Sequence, residues 1–165
     1  MSDPKNVLFV CTGNTCRSPM AEALFKQAVK DRRDYTVRSA GVTASKGSGC
    51  NPETAAVVRK RGAVLDGFDS RPVSEADLAA ATHVFVMTHS HLETLEARFP
   101  HHADKFYLVC EFADIPNEGI GADVPDPIGL GRQAYEEVAQ RFDIAIPTII
   151  AYIDQTWKPQ ESTPA

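Results

Sequence analysis

Eight consecutive residues, CTGNTCRS at 11–18, crowd two thiols, a glycine, an asparagine, a guanidinium and two kinds of hydroxyl into one stretch. A thiolate is a strong nucleophile, and an arginine presents a planar fork of donors that can grip two phosphate oxygens together. Gly13 and Asn14 are residue types that tolerate left-handed backbone angles, which a tightly curled loop needs. Such a loop, entering a helix N-terminus, points several backbone N–H groups into one concavity and so suits an oxyanion. The same positive field favours the thiolate form of Cys11, and Ser18 is placed to donate a hydrogen bond to it. A thiolate facing a bound phosphoryl group is aimed at phosphorus.

Cys11 and Arg17 six positions apart say little alone, because a chain with four cysteines and many arginines repeats that spacing by chance. No Gly-Lys-Ser/Thr closes the stretch, which excludes a Walker-type nucleotide loop. Cys11, Cys16, His89 and His91 lack the paired spacing of a zinc site, so neither a metal nor another cofactor is expected. His89 and His91 read as loop or helix-start residues.

The loop gains weight from the elements around it. Residues 6–10, NVLFV, form a short continuous apolar run, as a strand buried on both faces requires. In parallel α/β sheets ligands bind beyond the carboxyl ends of the strands, which is where residues 11–18 fall. Ser18 and Pro19 read as N-cap and first position of a helix carrying Met20, Ala21, Leu24, Phe25, Ala28 and Val29 at helical spacing. Residues 35–39 are a second strand. Asn51 and Pro52 open a helix that runs to Arg61 and stops at Gly62. Ser74 opens a short alanine-rich helix, 83–87 is a third strand, 90–99 a helix ended by Pro100, and 105–109 a fourth strand. Residues 111–131, rich in Gly, Pro and Asp, read as a long loop of a kind that is often functional. The last helix carries Ala134, Val138, Phe142, Ala145, Ile149 and Ile153 on one face, with a kink or break expected near Ile146 because Pro147 follows. The pattern predicts an α/β fold: a single-domain three-layer sandwich with a central four-stranded parallel sheet, helices on both faces and the phosphate-binding loop after the first strand.

A length of 165 residues with 43% hydrophobic content suits one domain. That domain is expected over residues 1–157, with 158–165 (KPQESTPA) a disordered tail. A formal net charge of -5 argues against a nucleic-acid partner, so an anionic substrate must be drawn in locally. No apolar run approaches the ~20 residues of a membrane-spanning helix, and MSDPKN shows no signal-peptide core. A cytoplasmic monomer with no membrane partner is expected, its cysteines (Cys11, Cys16, Cys50 and Cys110) serving as core residues or reactive thiols rather than structural disulfides.

VLFVCTGNTCRSPMAEALF resembles the signature of the low-molecular-weight protein tyrosine phosphatase family, and the resemblance continues in RSAGV, FVMTHSH and DVPDPIG. It implies that Cys11 is the nucleophile and forms a cysteinyl-phosphate. The amides of Thr12, Gly13, Asn14, Thr15, Cys16 and Arg17, with the Arg17 side chain, would bind the phosphoryl group. Asn14 would hold the loop's shape with help from Ser39, and Ser18 would stabilise the thiolate. Asp126, before Pro127, matches the family's general acid, which then activates water; read from residues alone, a solvated turn aspartate is an equal alternative. Asp123 is the weaker candidate.

Phosphorylated proteins are the implied substrates. Relatives acting on phosphotyrosine usually carry an aliphatic residue where Thr15 stands and aromatic residues after the Asp-Pro pair, where this chain has Ile128 and Gly129. The protein-arginine phosphatase branch carries CTGNTCRS and a glycine at the position of Gly129, although it tends to have Phe where Ile128 stands. Phosphoarginine is therefore the expected substrate and phosphotyrosine the alternative. An arsenate reductase and a non-catalytic phosphate-binding module are the rivals from other classes. Cys16 is either a small buried support or a redox partner that shields Cys11 through a reversible disulfide.

Overall fold

Side-chain alternation along the first strand sets the architecture. In β1 (Lys5–Cys11), Val7, Phe9 and Cys11 enter one core cluster while Leu8 and Val10 enter another. A strand that is apolar on both faces must be covered on both, as buried parallel sheets are. β1 pairs in parallel with β2 (Tyr35–Gly41) and β3 (His83–Val86), and β3 with β4 (Phe106–Leu108), giving the order β2-β1-β3-β4. The first cluster is filled from α1 (Arg17–Ala28), α2 (Pro52–Lys60) and α5 (Arg132–Thr156), the second from α3 (Glu75–Ala80) and α4 (His89–Arg98). The α/β three-layer sandwich with four parallel strands is thus the fold. The chain leaves β1 toward β2 on one side and later returns to β3 on the other. That reversal opens a crevice at the carboxyl end of β1. The computed structural model describes residues 4–158, so the expected tail lies, apart from Lys158, outside the described residues.

Local chemistry accounts for several helix ends. Asn51 Oδ1 accepts the N–H of Glu53 at 2.8 Å ahead of Pro52, and Ser74 and Asp77 form a reciprocal capping box at α3. Gly62, at φ +78°, follows the C-cap of α2.

Five expectations need correction. Ser18 is not a cap: α1 begins at Arg17 after Cys16, without a capping side chain, because the Ser18 hydroxyl is turned inward to Cys11 and Asn14. α4 starts at His89, one residue early, because Thr88 accepts the N–H of His91 and caps it. The long loop contains a small antiparallel pair, β5 (Asp114–Ile115) and β6 (Gly119–Ile120), turned by Asn117 and Gly119 at positive φ. α5 runs unbroken through Pro147. Pro147 removes the donor for the carbonyl of Asp143, four residues back, but both residues are exposed and water can take that place. On its buried face Tyr135 takes the place expected of Ala134, which is only half-buried.

Candidate active site

Cys11 ends β1 and is 3% exposed at the floor of the curled loop. Its Sγ accepts the backbone N–H of Asn14 at 3.3 Å and stands 2.9 Å from Ser18 Oγ. Asn14 takes the left-handed conformation at φ +55°. Its fully buried side chain staples three segments: Nδ2 donates to Ser18 Oγ (2.8 Å) and Ser39 Oγ (3.0 Å), and Oδ1 accepts the N–H of Arg71 (3.0 Å). With Asn14 donating to it, the Ser18 hydroxyl has one proton to give, to the sulfur at 2.9 Å or to the Ala40 carbonyl at 3.4 Å. Gly13, expected to share the left-handed conformation, does not adopt it. The glycine that geometry demands is Gly41, at the end of β2. A Cβ there would lie 2.4 Å from the Thr12 carbonyl oxygen and 2.9 Å from the Asn14 nitrogen, both backbone atoms that cannot yield without moving the loop.

Arg17 is buried, and its guanidinium is aimed by two contacts. One terminal nitrogen donates to the Val124 carbonyl at 2.9 Å and the other to Thr12 Oγ1 at 3.4 Å. That second nitrogen lies 4.0 Å from Asp126 Oδ2. The carboxylate is half-exposed, and its other oxygen accepts the N–H of Ile128 at 3.1 Å. Asp123, by contrast, is tied to the start of α4, accepting from the His89 backbone at 2.9 Å with the His89 ring at 2.7 Å. Ile128 is 59% exposed and Gly129 sits at φ +77°, so the chain beyond Pro127 places no aromatic ring there. Thr15 is half-buried in the loop, with its hydroxyl 3.9 Å from Cys16 Sγ. The arrangement can hold an oxyanion against a sulfur nucleophile, with a carboxyl group across from it.

Two neighbours escaped sequence reasoning. Tyr135 of α5 lies with its hydroxyl 3.5 Å from Cys16 Sγ, and burial pushes the Cys16 thiol up, favouring its protonated form. His91, read as a loop or helix-start residue, lies in the first turn of α4 and is buried: Nε2 is 2.7 Å from Thr12 Oγ1 and Nδ1 is 3.1 Å from Thr88 Oγ1. Its position on the inner side of α4 was the available signal. All four cysteines are free thiols, and Cys110 is fully buried, its thiol pushed up to about 11 by burial.

Burial, with the Arg17 charge secondary, pushes His91 down to about 4, and burial with Lys5 does the same to His83. Both rings are therefore neutral in the folded chain and bind protons near pH ~6.5 once unfolded. Their contribution to stability is complete above that value and is lost as pH falls toward 4. Urea denaturation at pH 4.5 should show a loss of roughly 2–3 kcal/mol per histidine relative to pH 7. Equal stabilities at the two pH values would contradict the buried neutral state.

The low molecular weight phosphotyrosine protein phosphatase family model matches residues 6–158. The chain is 35% identical over 139 residues to a protein-arginine-phosphatase of Bacillus subtilis, covering 84% of this chain and 89% of that protein. It is 34% identical over 153 residues to a low molecular weight protein-tyrosine-phosphatase of Streptomyces coelicolor, covering 89% and 92%. Among solved structures it is similar to the YwlE arginine phosphatase, in a cysteine-to-serine mutant with a phosphorylated active-site serine. The TM-score is 0.83 at 32% identity, over 92% of this chain and 97% of that one.

Proposed function

The chain belongs to the low-molecular-weight phosphotyrosine protein phosphatase family and is a cysteine-dependent protein phosphatase, and we propose that it removes phosphate from phosphoarginine residues of proteins. The reaction divides into two displacements on phosphorus. Cys11 attacks as thiolate, forming the S–P bond as the P–N bond breaks, while Asp126 protonates the departing guanidinium nitrogen. Asp126, now a carboxylate, then takes a proton from a water that attacks the cysteinyl-phosphate and releases inorganic phosphate and the thiolate. The loop amides and Arg17 hold the three non-bridging oxygens through both steps, meeting charge as it spreads over them. Asn14, Ser18 and Ser39 keep the cradle curled. Cys16, held as a thiol beside Tyr135, is the resolving partner if Cys11 is oxidised, returning it through a disulfide that a thiol reductant opens. Among the described residues no helix is long and apolar enough to cross a membrane.

The observation that carries the phosphoarginine reading is the pairing of a hydroxyl at Thr15 with the absence of an aromatic ring at Ile128 and Gly129. A hydroxyl can orient a polar guanidinium and the attacking water; an aliphatic group there would pack on a phenol ring instead. Phosphotyrosine is the second reading, favoured by the exposed apolar side chain of Ile128 at the rim. Rates on phosphoarginine and phosphotyrosine peptides at neutral pH decide between them. The wild type should prefer phosphoarginine, and Thr15→Ile should shift the ratio of kcat/KM values toward phosphotyrosine by roughly 10–100-fold. An unchanged ratio in the variant would refute the role given to Thr15.

A further inference from the structure

Outside the catalytic loop, three side chains of metal-ligating type converge on one point. Glu75 opens α3, and His101 and His102 lie on the 3₁₀ turn Pro100–Lys105 that leads into β4. Glu75 Oε1 is 2.9 Å from His101 Nε2 and 2.6 Å from His102 Nε2, and the three donor atoms all lie within 4.8 Å of one another. The two rings sit side by side with centroids 4.3 Å apart. Among the described residues this is the one group of three such side chains so arranged. We propose that Glu75, His101 and His102 form a binding site for a divalent transition-metal ion of the zinc type.

Two imidazoles on one surface carboxylate could be a plain pair of hydrogen bonds, and three features favour an ion. Both rings present the same nitrogen, Nε2, to the same oxygen, which is the convergence a metal requires. Ligands ~2.0–2.1 Å from a tetrahedral zinc lie about 3.3 Å apart, so the two carboxylate–imidazole separations need to open by less than about 1 Å, and the two Nε2 atoms already lie within 4.8 Å of each other. The group is also built to do so: the His102 side chain is only 11% exposed and anchors one wall, whereas Glu75 and His101, at 56% and 60%, can adjust. Two imidazole nitrogens and one carboxylate oxygen select zinc, cobalt or nickel over magnesium or calcium, and solvent supplies the fourth ligand. When Nε2 ligates, the neutral ring keeps its proton on Nδ1. The ion would clamp α3 to the turn ahead of β4, elements already joined where Lys105 Nζ donates to the Leu78 carbonyl at 2.8 Å.

The test is titration of the full chain with Co2+, followed by visible absorption, and with Zn2+, followed by calorimetry and thermal denaturation. One equivalent should bind in the micromolar range with the d–d bands of four-coordinate cobalt and no sulfur-to-cobalt charge-transfer band. Zn2+ should raise Tm by mass action, and Mg2+ should not. His101→Ala and Glu75→Gln, both at exposed side chains, should each weaken binding at least tenfold while leaving phosphatase turnover in chelator unchanged. Absence of binding in the wild type would overturn the proposal. So would affinity equal in the variants, which places the ion elsewhere, or a sulfur charge-transfer band, which places it on a cysteine.

Discussion

Cys11→Ser should lower turnover on a phosphoarginine peptide on the order of 10⁴-fold or more, while inorganic phosphate and vanadate still bind within a few-fold of the wild type. The two effects separate because different atoms carry them. The sulfur is held by the Asn14 amide at 3.3 Å and the Ser18 hydroxyl at 2.9 Å, an environment that supports an anion. A serine hydroxyl keeps its proton where a thiol gives one up, so the variant has no comparable nucleophile. The cradle for the oxyanion, by contrast, consists of backbone amides and the Arg17 guanidinium, which Val124 and Thr12 orient without any contribution from the sulfur. A slow single phosphorylation of the new serine without onward hydrolysis is compatible with this; the YwlE mutant similar to this chain has a phosphorylated active-site serine. Turnover near the wild-type rate would end the cysteinyl-phosphate mechanism.

Asp126→Asn should slow the enzyme by roughly 10²–10⁴-fold on substrates with poor leaving groups, the usual worth of a positioned general acid. An aryl phosphate whose leaving group is stable as an anion needs little protonation and should lose far less in the first step. The half-exposed carboxylate makes few contacts beyond the Ile128 amide, so the substitution should leave the fold intact, and any loss reads as chemistry. Asp126 Oδ2 lies 4.0 Å from the Arg17 guanidinium, on the side where the phosphoryl group would sit. Equal losses on good and poor leaving groups would show that Asp126 positions rather than protonates. Asp123→Asn serves as the comparison: it loosens the start of α4 at His89 and should leave the leaving-group dependence as it is.

Much of the fold was legible because it is written in local patterns. The run at 6–10, the Asn51-Pro52 pair and the Ser74 capping box each act over a few residues, and each marks the element found there. Where local reading failed, a nearby hydroxyl had a better partner. Ser18 has the residue type of a cap, yet the thiol and the Asn14 amide claim it. Thr88 caps α4, which therefore starts at His89 rather than at residue 90. Pro147 looked like a breaker, but it and Asp143, whose carbonyl loses its donor, are both exposed residues.

The sequence by itself determined the chemistry of the loop: a thiol, a hydroxyl and a guanidinium within eight residues cannot be far apart once a strand ends at Cys11 and a helix begins at Arg17. Gly41 stands in the sequence too, but only the structure shows why it can carry no side chain. Only the tertiary structure decided what aims those groups. The Arg71 amide on Asn14, His91 on Thr12, the Val124 carbonyl on Arg17 and Tyr135 on Cys16 join residues 57, 79, 107 and 119 positions apart. No periodicity or spacing encodes such pairs, because they arise from the order of strands in the sheet and the packing of α4 and α5 against it. The same packing chose between two aspartates three residues apart, turning Asp126 toward Arg17 and tying Asp123 to His89.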